Sequence, residues 1–125
     1  MNLLLDTHTL IWALENNPML SEEARNAIID GKNGVFVSAV SAWEISIKKA
    51  MGKLNAPDNL QEEIHLHRFT PLDINIDHAK LAGELPNLHN DPFDRMLIAQ
   101  AKIEKLILVS RDSLIAQYNV NLLKA

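Results

Sequence analysis

The 125-residue chain contains no cysteine and no long apolar run, and each absence excludes a class of protein. Without cysteine, neither a disulfide framework nor a thiolate metal site can form, which suits a cytoplasmic protein. No stretch approaches the roughly 18 apolar residues of a membrane span, and no basic segment followed by an apolar one indicates a signal peptide. We therefore expect one cytoplasmic domain over residues 1–125 that does not contact a membrane.

The chain also lacks an excess of basic charge and the common nucleotide motifs. Its net charge of −4 is unlike that of a general nucleic-acid binder, so a nucleic-acid role needs a local basic rim or a bound metal. Neither GxGxxG nor GxxxxGK[ST] occurs, and no nucleophile elbow is present, so nucleotide-cofactor enzymes and serine hydrolases lack support. An apolar fraction of 47% is ordinary for a soluble domain with one core.

Short apolar runs alternate with helical patterns along the chain. Strands are predicted at residues 2–5, 35–37, 69–72, 106–109 and 120–123, and helices at 7–15, 21–30, 41–51, 58–67, 77–84, 92–105 and 113–118. Ser21 is the expected N-cap of the second helix, and Asp58 and Gln61 form a capping-box pattern in the fourth. This alternation predicts an α/β fold, a three-layer α/β/α sandwich around a mostly parallel sheet.

Four acidic residues follow strands or open helices of this predicted fold. Asp6 directly follows the first strand, Asp112 lies just past the strand at 106–109, and Glu44 is one turn into the helix after 35–37. Asp94 sits in the first turn of the longest helix. Ligands of open α/β sheets bind beyond the carboxyl ends of the strands, so at least three acids should share one edge. Crowded carboxylates require a cation, and oxygen ligands favour Mg²⁺ or Mn²⁺, which commonly serve phosphodiester cleavage.

Each acid taken separately also fits a purely structural role. Asp6 and Asp112 are good N-caps, and Asp94 stands at N3 behind an Asp91 cap, where it favours the helix dipole. Glu44 completes a capping box with Ser41 and can pair with Lys48. The joint pattern favours a site, because four independent caps need not share one sheet edge.

The basic residues and the exposed apolar surface suggest contacts beyond the acids. Arg95 could orient a phosphate or pair with an acid, and Arg111 beside Asp112 could join a basic rim; solvated charge is the alternative. Lys48, Lys49 and Lys53 could extend that rim. The apolar residues of the first helix and Trp43 exceed what one sheet face needs, so they suit a partner or plain core packing. Of the histidines, His65 and His67 are poorly spaced for one metal, and His8 lies near Asp6.

Four segments together resemble one known family. Residues 5–12, 37–45, 91–101 and 109–112 are similar, in order and across the whole chain, to the PIN-domain family, and in particular to VapC-type toxins of type II toxin–antitoxin systems. The resemblance implies a metal-dependent ribonuclease whose acidic site is Asp6, Glu44, Asp94 and Asp112, with Thr7, Asp91 and Ser110 at supporting positions. It also implies a homodimer and an antitoxin whose segment covers the site.

The resulting hypothesis is a Mg²⁺- or Mn²⁺-dependent endoribonuclease with one or two ions that activate water for attack on RNA. Asp6 and Asp94 are the expected direct ligands, while Glu44 and Asp112 bind through water or orient the nucleophile. Two alternatives stay open. The first is a non-catalytic PIN-like module that holds RNA or a protein, and the second is a metal-dependent phosphatase acting on small phosphate esters.

Overall fold

A five-stranded parallel sheet forms the centre of the molecule, which we describe from a computed structural model covering residues 1–125. The strands are β1 Asn2–Leu5, β2 Gly34–Ser38, β3 Thr70–Leu72, β4 Ile107–Ser110 and β5 Leu122–Lys124. Their order is β3-β2-β1-β4-β5, and every neighbouring pair is parallel. The central position of β1 places the residue that follows it, Asp6, in the middle of one sheet edge.

Six helices cover the two faces of this sheet. They are α1 Thr7–Glu15, α2 Glu22–Ile29, α3 Ala39–Ala50, α4 Leu60–Leu66, α5 Ile76–Glu84 and α6 Pro92–Glu104, and a 3₁₀ turn spans Ile115–Gln117. Successive strand residues point to opposite faces. Leu3 and Leu5 therefore join a core cluster with α1, α2 and α4, while Leu4 packs with α6. The predicted three-layer α/β fold is confirmed.

The starts of two helices differ from the prediction, and one of these helices, α3, carries a site acid. Helix α3 begins at Ala39, because Ser38 caps it by accepting a hydrogen bond from the Val40 amide at 3.0 Å. The predicted capping box of Ser41 with Glu44 is therefore wrong, since both residues lie inside the helix. Helix α4 begins at Leu60 without any side-chain cap. The predicted box of Asp58 with Gln61 is also wrong.

Other elements follow the sequence more closely. Ser21 caps α2 by accepting from the Ala24 amide at 3.0 Å, as expected. Pro71 is tolerated in β3 because β3 is an edge strand that pairs only with β2. The predicted helix at 113–118 is reduced to the 3₁₀ turn. None of the helices combines the length and apolar character that crossing a membrane requires.

The apolar face of α1 belongs mainly to the core rather than to a free surface. Leu10 and Ile11 are buried in the core cluster that contains Leu3 and Leu5. Trp12 and Leu14 are partly exposed and pack against that cluster. The core-packing alternative therefore accounts for this helix. Trp43 on α3 is different, because 60% of its surface remains exposed.

Candidate metal and phosphodiester site

The strand ends that the sequence predicted to meet are held together by backbone contacts. The Asp6 amide donates to the Val109 carbonyl at 3.2 Å, and the Thr9 hydroxyl donates to the same carbonyl at 3.0 Å. The start of α1 is thereby tied to the end of β4. This contact places Asp6 beside the segment that carries Ser110 and Asp112.

A cleft of about 330 Å³ opens at this edge of the sheet, and all but one of its lining residues are polar or charged. Its lining residues are Asp6, Thr7, His8, Thr9, Trp12, Glu44, Lys48, Asp91, Asp94, Arg111 and Asp112. All four predicted acids therefore meet in one place, and Asp91 adds a fifth carboxylate. Only two lysine or arginine side chains line the same cleft, so its charge is strongly negative.

Asp6 is both a helix cap and a member of the site. One carboxylate oxygen, Oδ1, accepts from the Thr9 amide at 2.9 Å, which is the N-cap role. The second oxygen makes no hydrogen bond within the chain. Because the side chain is only 8% exposed and the cap orients it, this remaining oxygen is held rigidly toward the cleft. The structural and functional interpretations are compatible here.

Glu44 is the most enclosed of the acids and has two partners. The Thr7 hydroxyl donates to Oε1 at 2.6 Å, and the Lys48 ammonium pairs with Oε2 one helical turn away. Glu44 is 4% exposed, so its charge needs both contacts. The hydrogen bond to Glu44 raises the pKa of the Lys48 ammonium. The predicted pairing of Glu44 with Lys48 is confirmed.

Asp91 organises the start of α6 so that Asp94 faces the other acids. Its Oδ1 accepts from the Phe93 amide at 2.8 Å and the Asp94 amide at 3.4 Å, with Pro92 at N1, as predicted. The pKa of the Asp94 carboxyl is raised to about 7, first by burial and then by the nearby charges of Asp91 and Asp6. A hydrogen bond from His89 acts in the opposite direction.

His89 is the site residue that sequence reasoning missed. Its Nε2 lies 2.8 Å from Oδ2 of Asp94 and 3.4 Å from Oδ2 of Asp112, so the imidazole stands between two acids. His89 belongs to the loop between α5 and α6, which has no periodicity to predict its orientation. The available sequence clue was its place two residues before the Asp91 cap.

Asp112 and Ser110 are linked through the backbone at the end of β4. The Ser110 hydroxyl oxygen accepts from the Asp112 amide at 3.1 Å, while Oδ1 of Asp112 accepts from the Leu114 amide at 2.8 Å. This contact is a local turn and not a helix cap, because the following 3₁₀ turn has Leu114 at its N-cap and no side-chain cap. The predicted N-cap role of Asp112 is therefore wrong. Its Oδ2 is left to face His89.

The structure gives Arg95 a different task from the one expected. Its guanidinium donates to carbonyl oxygens of the segment before α6, including Ala82 at 3.1 Å and Leu85 at 2.9 Å. It neither pairs with a carboxylate nor lines the cleft. Arg95 therefore stabilises the α5–α6 connection rather than orienting a phosphate.

The residues of the cleft fit a divalent cation. Carboxylate oxygens are the ligands that hard cations such as Mg²⁺ and Mn²⁺ prefer. Ligand-type atoms of His89, Asp94 and Asp112 lie within 4.8 Å of one another, and Asp6 is close enough to affect the Asp94 titration. The raised pKa of Asp94 indicates that the chain alone does not compensate this charge. A bound cation would do so.

Comparison with known proteins is consistent with this geometry. Ribonuclease VapC16 of Mycobacterium tuberculosis is 34% identical over 62 residues, which are 48% of this chain and 44% of the relative. The match thus spans less than half the length of that ribonuclease. The sequence profile of the PIN domain matches a much longer part, residues 3–121.

Solved structures with the same fold include two complexes with DNA. The structure of VapBC2 from Rickettsia felis bound to a DNA fragment from their promoter gives a TM-score of 0.72, with 19% identity over 99% of this chain and 98% of the other. DNA-bound VapBC from Salmonella typhimurium gives 0.70, with 18% identity and the same coverage. These likenesses establish the fold. The profile match over nearly the whole sequence shows that the chain belongs to the PIN domain family.

Proposed function

We propose that this chain is a metal-dependent endoribonuclease and the toxin of a type II toxin–antitoxin pair. The observation that carries the proposal is the convergence of five carboxylates on one cleft at the carboxyl edge of the sheet. The partial likeness to a ribonuclease and the shared fold with VapBC complexes support it. An RNA substrate implies that the protein works in the cytoplasm.

Asp6, Asp94 and Asp112 would hold one or two Mg²⁺ or Mn²⁺ ions. Glu44 would contribute to the same site if its ion pair with Lys48 were replaced by a contact with the metal. When bound, the metal supplies the positive charge that lowers the pKa of an attacking water and stabilises the phosphodiester in the transition state. The same charge brings a polyanion to a negative cleft. The ions therefore resolve the conflict between an acidic protein and an RNA substrate.

The residues of the chain prepare this site before any substrate arrives. The Thr9 amide orients Asp6, and the Thr7 hydroxyl orients Glu44, so neither carboxylate needs to reorganise. With a pKa of about 7, the Asp94 carboxyl holds a proton at neutral pH in part of the metal-free molecules. That proton must leave before the carboxylate can bind a cation.

The direct test is cleavage of total cellular RNA by the purified chain in EDTA and then with Mg²⁺ or Mn²⁺ added. We expect discrete fragments that require metal and that are absent with Asp94→Asn, whose amide retains the shape of the side chain without its charge. Undiminished cleavage by a well-purified Asp94→Asn protein would show that another site, or a contaminant, cuts the RNA.

Two other outcomes identify the alternative functions. RNA binding without metal and without cleavage indicates a non-catalytic PIN-like module, in which Glu44 and Asp94 keep Lys48 and His89 as permanent partners. Hydrolysis of p-nitrophenyl phosphate without RNA cleavage indicates a phosphatase. Both assays use the same folded protein, so loss of structure does not explain either outcome.

We further propose that the chain forms a homodimer and binds an antitoxin segment over the cleft. Trp43, exposed on α3 and in edge contact with Phe93 at 5.3 Å between ring centroids, is apolar surface that a protein partner could cover. Light scattering should show a dimer, and a monomer over a wide concentration range would contradict this. Co-purification with the product of a neighbouring gene, followed by loss of RNA cleavage in the complex, tests the antitoxin.

A further inference from the structure

Two cationic side chains line the cleft, but only one of them has an acidic partner. Lys48 is paired with Glu44. Arg111 makes no ion pair with any aspartate or glutamate, although it lies in a cleft with five carboxylates. Arg111 is therefore the cation of the cleft that is not paired with an acidic side chain.

Backbone oxygens and one aromatic ring hold the guanidinium of Arg111 in place. One nitrogen, Nη2, donates to the carbonyl oxygen of Met19 and, at 2.7 Å, to that of Ala125. The guanidinium carbon lies 4.5 Å from the centroid of the Trp12 ring, within the range of a cation–π contact. Both carbonyls use the same nitrogen. The Nε and Nη1 groups make no hydrogen bond within the chain.

We propose that Arg111 is a substrate-binding residue of this cleft, and that its Nε and Nη1 groups donate to a phosphate of the RNA backbone beside the bond that is cut. This inference rests on the proposed function, since it takes RNA as the substrate. A guanidinium presents planar, forked N–H donors that match two phosphate oxygens. Because carbonyls and Trp12 already hold the group, little side-chain freedom is lost on binding.

The position of Arg111 in the chain suits this role. It stands between Ser110, the last residue of β4, and Asp112, so its backbone belongs to the segment that also supplies an acid of the site. Trp12 and His8 project from α1 into the same cleft, with ring centroids 6.0 Å apart. Arg111, Trp12 and His8 therefore provide a cationic and aromatic lining, of the kind that binds single-stranded nucleic acid.

Binding can be measured separately from cleavage by fluorescence anisotropy of a short labelled single-stranded RNA. All variants keep the acids of the cleft and are measured with Ca²⁺, another hard cation that prefers oxygen ligands, in place of Mg²⁺. Gel analysis of the RNA after each measurement confirms that it stays intact. Arg111→Ala should weaken binding by about tenfold, as expected for a lost charged hydrogen bond. It should also reduce the slope of log affinity against log salt by about 0.7, the value for one phosphate contact on a single strand.

Two further variants make the result specific. Arg111→Lys keeps the positive charge but loses the forked N–H donors of the guanidinium. We therefore expect the same slope of log affinity against log salt as in the parent, but a lower affinity. Arg25 provides the matched control, because it also donates to a backbone carbonyl, that of Asn17 at 2.8 Å, but lines a different cavity of about 340 Å³. Arg25→Ala should leave both the affinity and the slope unchanged.

Trp12 tests whether the ring contact prepares Arg111 for binding. Trp12→Leu keeps apolar bulk against the core but removes the ring face. It should weaken RNA binding when Arg111 is present and have no further effect in the Arg111→Ala background. An equal loss in both backgrounds would overturn this part of the inference, because Trp12 would then contact RNA independently.

The inference would be overturned if folded Arg111→Ala bound RNA with the same affinity and the same salt slope as the parent. If the unmodified chain still cleaved RNA, the proposed function would stand. Absence of both RNA binding and metal-dependent cleavage in the unmodified chain would overturn the two together. If Arg111→Ala does not fold, Arg111→Lys decides the case, and full parental affinity of that variant overturns the proposed fork.

Discussion

The imidazole of His89 lies 2.8 Å from the Asp94 carboxylate, and it stands between Asp94 and Asp112. A cation that bridged those two acids would compete with this ring. In the metal-free site this histidine therefore occupies the position between the two acids. The raised pKa of Asp94 gives the cleft a pH dependence that can be measured without any RNA.

The first prediction concerns the stability of the metal-free protein. The Asp94 pKa is raised from 3.8 to about 7 in the folded chain, so the folded state binds more protons than the unfolded state between these values. The free energy of unfolding should therefore fall as the pH rises from about 4 to about 7, by at most roughly 4 kcal/mol from this group.

Urea unfolding at several pH values, with EDTA present, checks this prediction. Other acids contribute to the wild-type profile, so the informative quantity is its difference from Asp94→Asn, which has no titrating group at this position. The unfolding free energy of the wild type minus that of Asp94→Asn should fall between about pH 4 and about pH 7. Parallel profiles would contradict the raised pKa.

A second prediction concerns His89. Because its hydrogen bond lowers the Asp94 pKa, removing the ring with His89→Ala should raise that pKa further. Carboxyl-carbon NMR of the metal-free protein reports the titration of Asp94 directly. His8→Ala is the matched control, since His8 lines the cleft but has no hydrogen bond to Asp94. A lowered or unchanged Asp94 pKa in His89→Ala would refute this role.

The third prediction concerns the contact between α1 and α3. Thr7→Val removes the hydroxyl that donates to Glu44 at 2.6 Å while it keeps the shape of the side chain. The loss of a hydrogen bond to a buried charge should cost about 1.5–3 kcal/mol of stability and slow RNA cleavage. Thr7→Ser should retain both properties. Equal behaviour of the two variants in urea unfolding would show that the hydroxyl is dispensable.

Arg95 provides a fourth prediction, in which stability and activity separate. Its guanidinium donates to several carbonyls around the α5–α6 connection and lines no part of the cleft. Arg95→Ala should therefore lower the melting temperature, whereas kcat per folded molecule should stay within about twofold of the wild type because no transition-state contact is lost. A large fall in kcat of the fully folded variant would show that Arg95 acts in the site after all.

Sequence reasoning predicted the sheet and four site acids because these depend on local patterns. Strands buried on both faces are continuous apolar runs, such as Leu3–Leu5 within β1, and acids that directly follow such runs must lie at one edge of a parallel sheet. Asp6 and Asp112 were therefore recognisable from their positions alone. Glu44 followed from its place one turn into the helix after the second strand, and the resemblance to the PIN family implied one shared role for all four acids.

Tertiary contacts decided the features that sequence reasoning missed. Ser38 and Ser41 are equally good N-caps in isolation. Ser38 is the cap of α3 because β2 ends at that residue. His89 reaches Asp94 from a loop whose path depends on the carbonyls that Arg95 holds, His89 among them at 3.3 Å. No periodicity encodes such a path. Neither the Asp94–His89 contact nor the structural use of Arg95 could be read from spacing.

The most direct test of the central claim is calorimetric titration of Mn²⁺ into the metal-free chain at pH 8. We predict binding that releases protons at lower pH, as deprotonation of Asp94 requires, and that is lost in Asp94→Asn. Asp58→Asn is the matched control, because Asp58 is an exposed acid paired with Lys49 outside the cleft, and it should bind as the wild type does. Equal Mn²⁺ binding by all three proteins, or by none of them, would contradict a metal site in this cleft.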